Sequence, residues 1–436
     1  MKGNACDKSK RGIAMHRFYT IKDIIGDGNP FYCYGTGDAA LTFARYCQRR
    51  KIKIKGFLVT KKNQKNEKFF NKSVYQIDEI QKPLNAGIII AIARLDYVEE
   101  VFSLLKDVDA NVLWVYDDTS YIRDLRRDLH KEIRKREKLS IFDFERLSLS
   151  LDYEDIVASG YMLYYGIYKC VKKYTKGYQK NIRHCAISHG FTNSVVLGGY
   201  NEYFAKHYGT LYTCGGDGWW QKCLPASIRV HVLGPYISYV KSLYSYEKLE
   251  RMKKKLGRTL LVFPLHSVDD KEYTEYDIDE FIREVDAIKD QYCYDTVMVC
   301  MYWRDIHTNT FIPYKKKGWK IVTAGHRLDS NFLRRLRSII LLSDMVVTNG
   351  VGTHVGYAVC LNKPVYIMDL PSYSTTIDVI RDGDGNECAD QFIRDCNISD
   401  KEIKEAFSTY CETITDDQLY VIRKYWGYWN VHHIRR

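Results

Sequence analysis

The residues best suited to chemistry lie in SDMVVTNGVGTHVGYA, Ser343–Ala358. A buried apolar strand there ends at Thr348-Asn349, and a glycine loop then opens a helix whose first turn presents Gly352, Thr353 and His354. Free backbone N–H groups, the Thr353 hydroxyl and the positive end of the helix dipole together favour a phosphate or diphosphate. The same pattern also suits a well-capped helix without a ligand. Two residues of the middle segment could accept a proton. His189 stands in SHG at a strand end, where glycine leaves room for a substrate, and a neutral imidazole suits pH 7. Asp217 stands in GGDGW beside Trp219 and Trp220. Each also suits a structural hydrogen bond. A third motif, GTGDAA at Gly35–Ala40, follows a strand and opens a helix, the context of a dinucleotide fingerprint. Asp38 would bring negative charge near a pyrophosphate, and Thr60-Lys61-Lys62 stands where an acidic residue would hold a ribose. The alternative is a tight strand-to-helix turn without cofactor.

The elements that must position these residues alternate between the two periodicities. Strands are predicted at Pro30–Gly35, Ile54–Thr60, Gly87–Arg94 and Asn111–Val115, with helices at Asp38–Arg50 and Tyr97–Leu105. Strands separated by helical stretches imply a parallel sheet covered on both faces, a small Rossmann-like domain. A charged helix from Ser120 to about Glu145 links it to a tyrosine-rich helical stretch, Ile156–Tyr178. A second α/β set begins at Thr259, with strands at Thr259–Pro264, Asp295–Tyr302, Lys320–Thr323, Met345–Asn349 and Pro364–Met368. Its helices are predicted at Ile278–Lys289, Phe332–Leu342 and Val351–Leu361, and a mostly helical tail follows. Four segments are expected: 1–120, 121–250, 251–385 and 386–436. Arg304-Asp305 reads as a surface-loop ion pair, with contact to a nucleotide as the alternative.

The 436 residues exceed the roughly 250–300 at which one core stops growing, so two or three domains are expected. With 45% apolar and 28% charged residues, the chain is neither disordered nor fibrous. No stretch approaches the roughly 20 apolar residues of a membrane span, and the start lacks the apolar region of a secretory leader. The cytoplasm is the expected compartment. Thirteen scattered cysteines then read as reduced thiols, and no C-x-x-C pair and no D-x-D on a strand end marks a metal site. The net charge of +12 gathers in clusters such as Arg123–Lys138, Arg251–Arg258 and Lys315–Lys317, which permit attraction to phosphates on a nucleotide, a lipid or a nucleic acid. No nucleic-acid reading motif accompanies them.

Ser343–Ile367 (SDMVVTNGVGTHVGYAVCLNKPVYI) resembles the donor-binding domain of GT-B glycosyltransferases, with a late strand, a glycine–threonine helix start and a following KP strand. Cys185–Thr213 with Val232-Leu233-Gly234-Pro235 is similar to bacterial enzymes that build surface polysaccharides, among them glycerophosphate-polymer, sialic-acid and Kdo transferases. The resemblance covers residues 180–370. It implies an α/β fold with a GT-B-like pair of Rossmann-like domains beside the small N-terminal one. It also implies a transferase that moves a sugar from a nucleotide-activated donor to a capsule or lipopolysaccharide acceptor, with no cofactor and no metal. Paired serines of some branches are replaced here by Gly352-Thr353, and the E-x7-E pattern of retaining enzymes is absent, which points to inversion. Inversion needs a base on the acceptor hydroxyl, for which His189 comes first and Asp217 second. It also needs groups on the leaving phosphate, for which His326, Arg327, Gly352, Thr353 and His354 are expected, with His266 nearby. Basic and aromatic surfaces would permit peripheral contact with anionic membrane, where a lipid-linked acceptor resides; nucleic acid is not an expected partner. Alternatives are a polyol-phosphate transferase or nucleotide-sugar epimerase of the same architecture, or a non-catalytic scaffold that binds nucleotide or polysaccharide.

Overall fold

A computed structural model of the chain describes residues 20–26, 28–61, 67–80, 84, 86–92, 95–151, 164–175, 185–188, 190–191, 209–215, 226–268, 273–378 and 386–428. Two compact units are present: Met1–Leu129 with Asp152–Ala158, and His130–Leu151 with Ser159–Arg436. The predicted segments 251–385 and 386–436 thus share one unit, together with most of 121–250.

In the first unit, strands β1 (Phe31–Tyr34), β2 (Ile54–Val59), β3 (Lys68–Phe69), β4 (Lys72–Gln76), β5 (Gly87–Ile90) and β6 (Val112–Trp114) form one sheet in the order β3-β4-β2-β1-β5-β6. Apart from the small antiparallel β3–β4 hairpin, the pairs are parallel. All four residues of β1 and of β5 are buried, as central strands covered on both faces must be. Helix α1 (Asp38–Arg49) turns Ala40, Phe43, Ala44 and Cys47 inward, and α2 (Leu95–Leu104) contributes Val98 and Val101. Gly35 has φ of 117°, and a Cβ there would stand 2.9 Å from the Ala91 carbonyl oxygen. Close approach of β1 to the end of β5 therefore accounts for the first glycine of GTGDAA.

Helix α3 (Thr119–Arg136) leads into the second unit, ending earlier than the Glu145 expected from its charge pattern. There β7 (Ala186–Ile187), β8 (Thr210–Thr213) and β9 (Arg229–Val232) make a small parallel sheet. Helix α4 (Tyr246–Leu256) then precedes β10 (Thr259–Phe263) and β11 (Thr274–Tyr276). Next come α5 (Ile278–Gln291), β12 (Thr296–Cys300), α6 (Trp303–His307), β13 (Lys320–Val322) and α7 (Phe332–Leu341). The series ends with β14 (Met345–Thr348), α8 (Thr353–Cys360), β15 (Val365–Ile367), β16 (Ser372–Ser374), α9 (Asn386–Phe407) and α10 (Asp416–Trp426). The main sheet is entirely parallel with order β13-β12-β10-β14-β15, and β11 pairs with β16 separately.

Numbered within its own sheet, that order is 3-2-1-4-5, and five strands of the first unit repeat it, the doubly wound Rossmann arrangement. The fold is α/β with two such sheets, as the sequence pattern predicted. Strand β10 is buried throughout, and α5 packs Phe281, Ile282, Val285 and Ile288 on the sheet. A fully buried ion pair, Arg335 to Asp329 at 2.7 Å, fixes the start of α7; Arg335 also donates to the carbonyls of Ala324 and Arg136. At the far end of the chain, Trp426 of α10 is fully buried, its ring stacked at 4.2 Å on Phe191. A Cβ at Gly356 would stand 2.3 Å from that indole, so only glycine lets α10 approach α8 this closely. Among the described residues no helix is long and apolar enough to cross a membrane.

Candidate functional site

In a doubly wound sheet, ligands lie outside the carboxyl ends of the strands where the winding reverses. In the second unit that point is between β10 and β14. The loop after β10, residues 264–267, is the hub. Leu265 N donates to Asn349 Oδ1 at 2.8 Å, tying this loop to the end of β14. Ser267 N donates to Asp305 Oδ1 at 3.3 Å, tying it to α6 beyond β12. His266 between them stacks on Tyr302 at 4.3 Å and turns its Nδ1 to its neighbour's carbonyl, Ser267 O, at 3.2 Å.

Two buried donors on these loops have no hydrogen-bond partner among the described residues. Asn349 is 3% exposed, and its Nδ2 donor makes no hydrogen bond among the described residues. Trp303, at the start of α6, is 6% exposed, and its Nε1 is likewise unpartnered. A buried donor without an acceptor costs about 1–3 kcal/mol, so Asn349 at the end of β14 marks a place that an acceptor would satisfy. Asp305 is 6% exposed, and burial pushes its carboxyl up to about 7 against the opposing pull of the Ser267 N–H and of Arg304.

His354, in the first turn of α8, stacks on Phe263 at 4.8 Å and has Nε2 3.0 Å from Thr348 Oγ1. Desolvation first, and the neighbouring His266 second, push its pKa down to about 3, so it is neutral at physiological pH. Desolvation also lowers the pKa of His266, although that residue keeps exposed surface. The two imidazoles therefore face the crevice as neutral hydrogen-bonding groups. Gly352 is the N-cap of α8 and supplies no side-chain cap, which leaves the first-turn amides without one. Thr353 accepts a hydrogen bond from Phe191 N at 3.0 Å, and a Cβ at Gly190 would stand 2.4 Å from Thr353 Oγ1. Its hydroxyl thus holds the 190–191 backbone against α8 while its proton stays available to a ligand.

The structure brings together His266, Gly352, Thr353 and His354 of the predicted set. His189 and Asp217 lie outside the described residues. Two expectations change. His326 was expected to face the crevice, but it is fully buried: its ring packs on Trp303 at 4.2 Å and Nδ1 accepts from Leu328 N at 3.2 Å. Its neighbour Arg327 is the more open group, with its guanidinium over Tyr164 at 4.9 Å and Trp303 at 5.8 Å. Asp305 was expected in a surface ion pair and is instead an interior carboxyl. Asn349 and Trp303 were not singled out, because an unpaired donor is a property of packing. Among the described residues no cluster of three His, Cys, Asp or Glu side chains is placed to hold a metal ion.

No protein-family model matches the chain, and no curated protein matches it. Solved structures do. The UDP co-structure of MnaA from S. aureus is 11% identical with a TM-score of 0.31, over 92% of this chain and 97% of that one. UDP-GlcNAc 2-epimerase from Neisseria meningitidis, bound to UDP-GlcNAc, is 11% identical with a TM-score of 0.28, over 91% and 98%. A ugt transferase from Siraitia grosvenorii in complex with UDP is 8% identical with a TM-score of 0.25, over 93% and 100%. Residue roles therefore rest on the geometry of this chain.

Proposed function

We propose that the protein is a glycosyltransferase that takes a sugar from a nucleotide-activated donor and passes it, with inversion and without a metal, to a saccharide or lipid-linked saccharide acceptor of a bacterial capsule or lipopolysaccharide. The observation that supports this reading is the unsatisfied Asn349 Nδ2 between β10 and β14, beside the uncapped start of α8. A donor phosphate seated there meets the α8 amides, the Asn349 amide and the Thr353 hydroxyl. His266 and His354, both neutral, add hydrogen bonds without repelling a magnesium-free anion or titrating near pH 7. Arg327, whose guanidinium lies over the rings of Tyr164 and Trp303, supplies a cation on the β12–β13 side. Asp305 is a positioning residue: through Ser267 N it fixes the loop that carries His266.

For the acceptor side, His189 is the proposed base and Asp217 the second choice. The base takes the acceptor proton as the new glycosidic bond forms and the bond from the anomeric carbon to the donor phosphate breaks. The nucleoside phosphate leaves with the bond's electron pair. The test is release of nucleoside phosphate from a panel of CMP-, CDP-, UDP-, GDP- and dTDP-activated sugars, with a saccharide acceptor present. Turnover with one donor that Asn349→Asp and His189→Ala each reduce supports the assignment. Nucleotide binding without turnover on any donor would favour a non-catalytic scaffold.

A further inference from the structure

Away from the crevice, the second unit carries a groove whose floor is apolar and whose rim is basic. Phe142, Phe144, Met252 and Trp319 line it, and Lys255, Lys315 and Lys320 stand around it. The sequence dictates this locally. Helix α4 ends in three consecutive lysines, Lys253 to Lys255, while Met252 and Leu256 turn inward. In β13 the alternation of an edge strand leaves Lys320 exposed and Ile321 buried. Lys255 and Lys320 make no ion pair among the described residues. Lys315 lies over Phe144 at 5.6 Å and Phe311 at 5.7 Å. Its carboxylate neighbour, Glu145 at 4.0 Å, is largely exposed, so that pair is screened by water.

We propose that this groove is where the protein rests on an anionic membrane surface. An apolar floor inside a ring of cations fits an amphiphile of the opposite charge, with lipid phosphates on the lysines and the phenylalanines at the acyl boundary. A soluble polyanion would use the lysines and leave the aromatic floor without a role. The groove adjoins Leu256, before β10, and the first residues of β13, so it lies toward the amino ends of the strands. The crevice lies at their carboxyl ends, and docking leaves it open. The inference stands independently of what the crevice binds.

The test is co-sedimentation of the full chain with vesicles of phosphatidylcholine alone and of phosphatidylcholine with phosphatidylserine. Binding is expected only with phosphatidylserine. Each lysine near the surface is worth about fivefold in partition, so Lys255→Gln, Lys315→Gln and Lys320→Gln together weaken it about 100-fold. All three are exposed, so the triple variant should keep the fold. Lys289→Gln, Lys401→Gln and Lys404→Gln remove the same charge elsewhere and should change partition little. Phe142→Ser should weaken the binding that survives high salt. Equal loss in the control triple, equal binding to neutral vesicles or no binding to either would overturn the proposal. So would full competition by inositol hexakisphosphate with no effect of Phe142→Ser, which would make the groove a site for soluble polyanions.

Discussion

Replacing Asp305 by asparagine should make the protein more stable at neutral pH, although the residue sits inside the candidate site. The carboxyl is buried, and its pKa rises from 3.8 to about 7. Between these values the unfolded chain has lost the proton that the folded chain retains. Stability therefore falls as pH rises through this window and levels off above about 7. The full difference corresponds to about 4 kcal/mol, with solvent relaxation around the ionised group reducing what is measured. Asparagine keeps an oxygen for Ser267 N and removes the titration. In urea titrations of the second unit followed by fluorescence, Asp305→Asn should match the parent near pH 4 and exceed it by about 2–4 kcal/mol near pH 8. Curves that remain parallel across this range would refute the claim that Asp305 carries a strained interior charge. Because asparagine still accepts from Ser267 N, the loop that carries His266 stays in place and donor turnover should change little.

Three packing claims are open to similar checks. Gly356→Ala drives a methyl into the Trp426 indole and should cost about 1–3 kcal/mol, while Trp426→Ala leaves a cavity and should cost about 3–5 kcal/mol in thermal or urea unfolding. Because Trp426 stacks on Phe191, whose N–H bonds to Thr353, both changes should also weaken ligand binding at the start of α8. Asp329→Ala strands a buried guanidinium and should cost about 3–5 kcal/mol, whereas Asp329→Leu with Arg335→Met should recover much of that loss, a comparison made by a double-mutant cycle.

The buried strands of both sheets were legible because buried parallel strands read as short apolar runs, such as TLLVF at Thr259–Phe263 and MVVT at Met345–Thr348, whereas the polar, largely uncovered β3 and β4 were not predicted. The start of α8 was legible for the same local reason: Gly352, Thr353 and His354 are consecutive. What completes the crevice was not. Leu265 and Asn349 are 84 residues apart, Ser267 and Asp305 are 38 apart, and nothing in either segment names its partner. His326 looked available at a strand end, but Trp303 at the start of α6 covers it. The GTGDAA spacing serves a pyrophosphate turn and a turn packed on a carbonyl equally well, and only the position of Ala91 shows that the second accounts for Gly35.

The central claim is that a nucleoside phosphate sits between β10 and β14, with Asn349 as a donor to it. Asn349→Asp keeps an oxygen for Leu265 N and replaces the unpartnered donor with a negative oxygen. Isothermal titration of the parent and of Asn349→Asp with CMP, CDP, UDP, GDP and dTDP tests the claim. One nucleotide should bind the parent, and Asn349→Asp should lose at least about 1.5–3 kcal/mol of that binding, roughly 10- to 100-fold. Equal affinity in the two proteins, or no nucleotide bound by the parent, would contradict it.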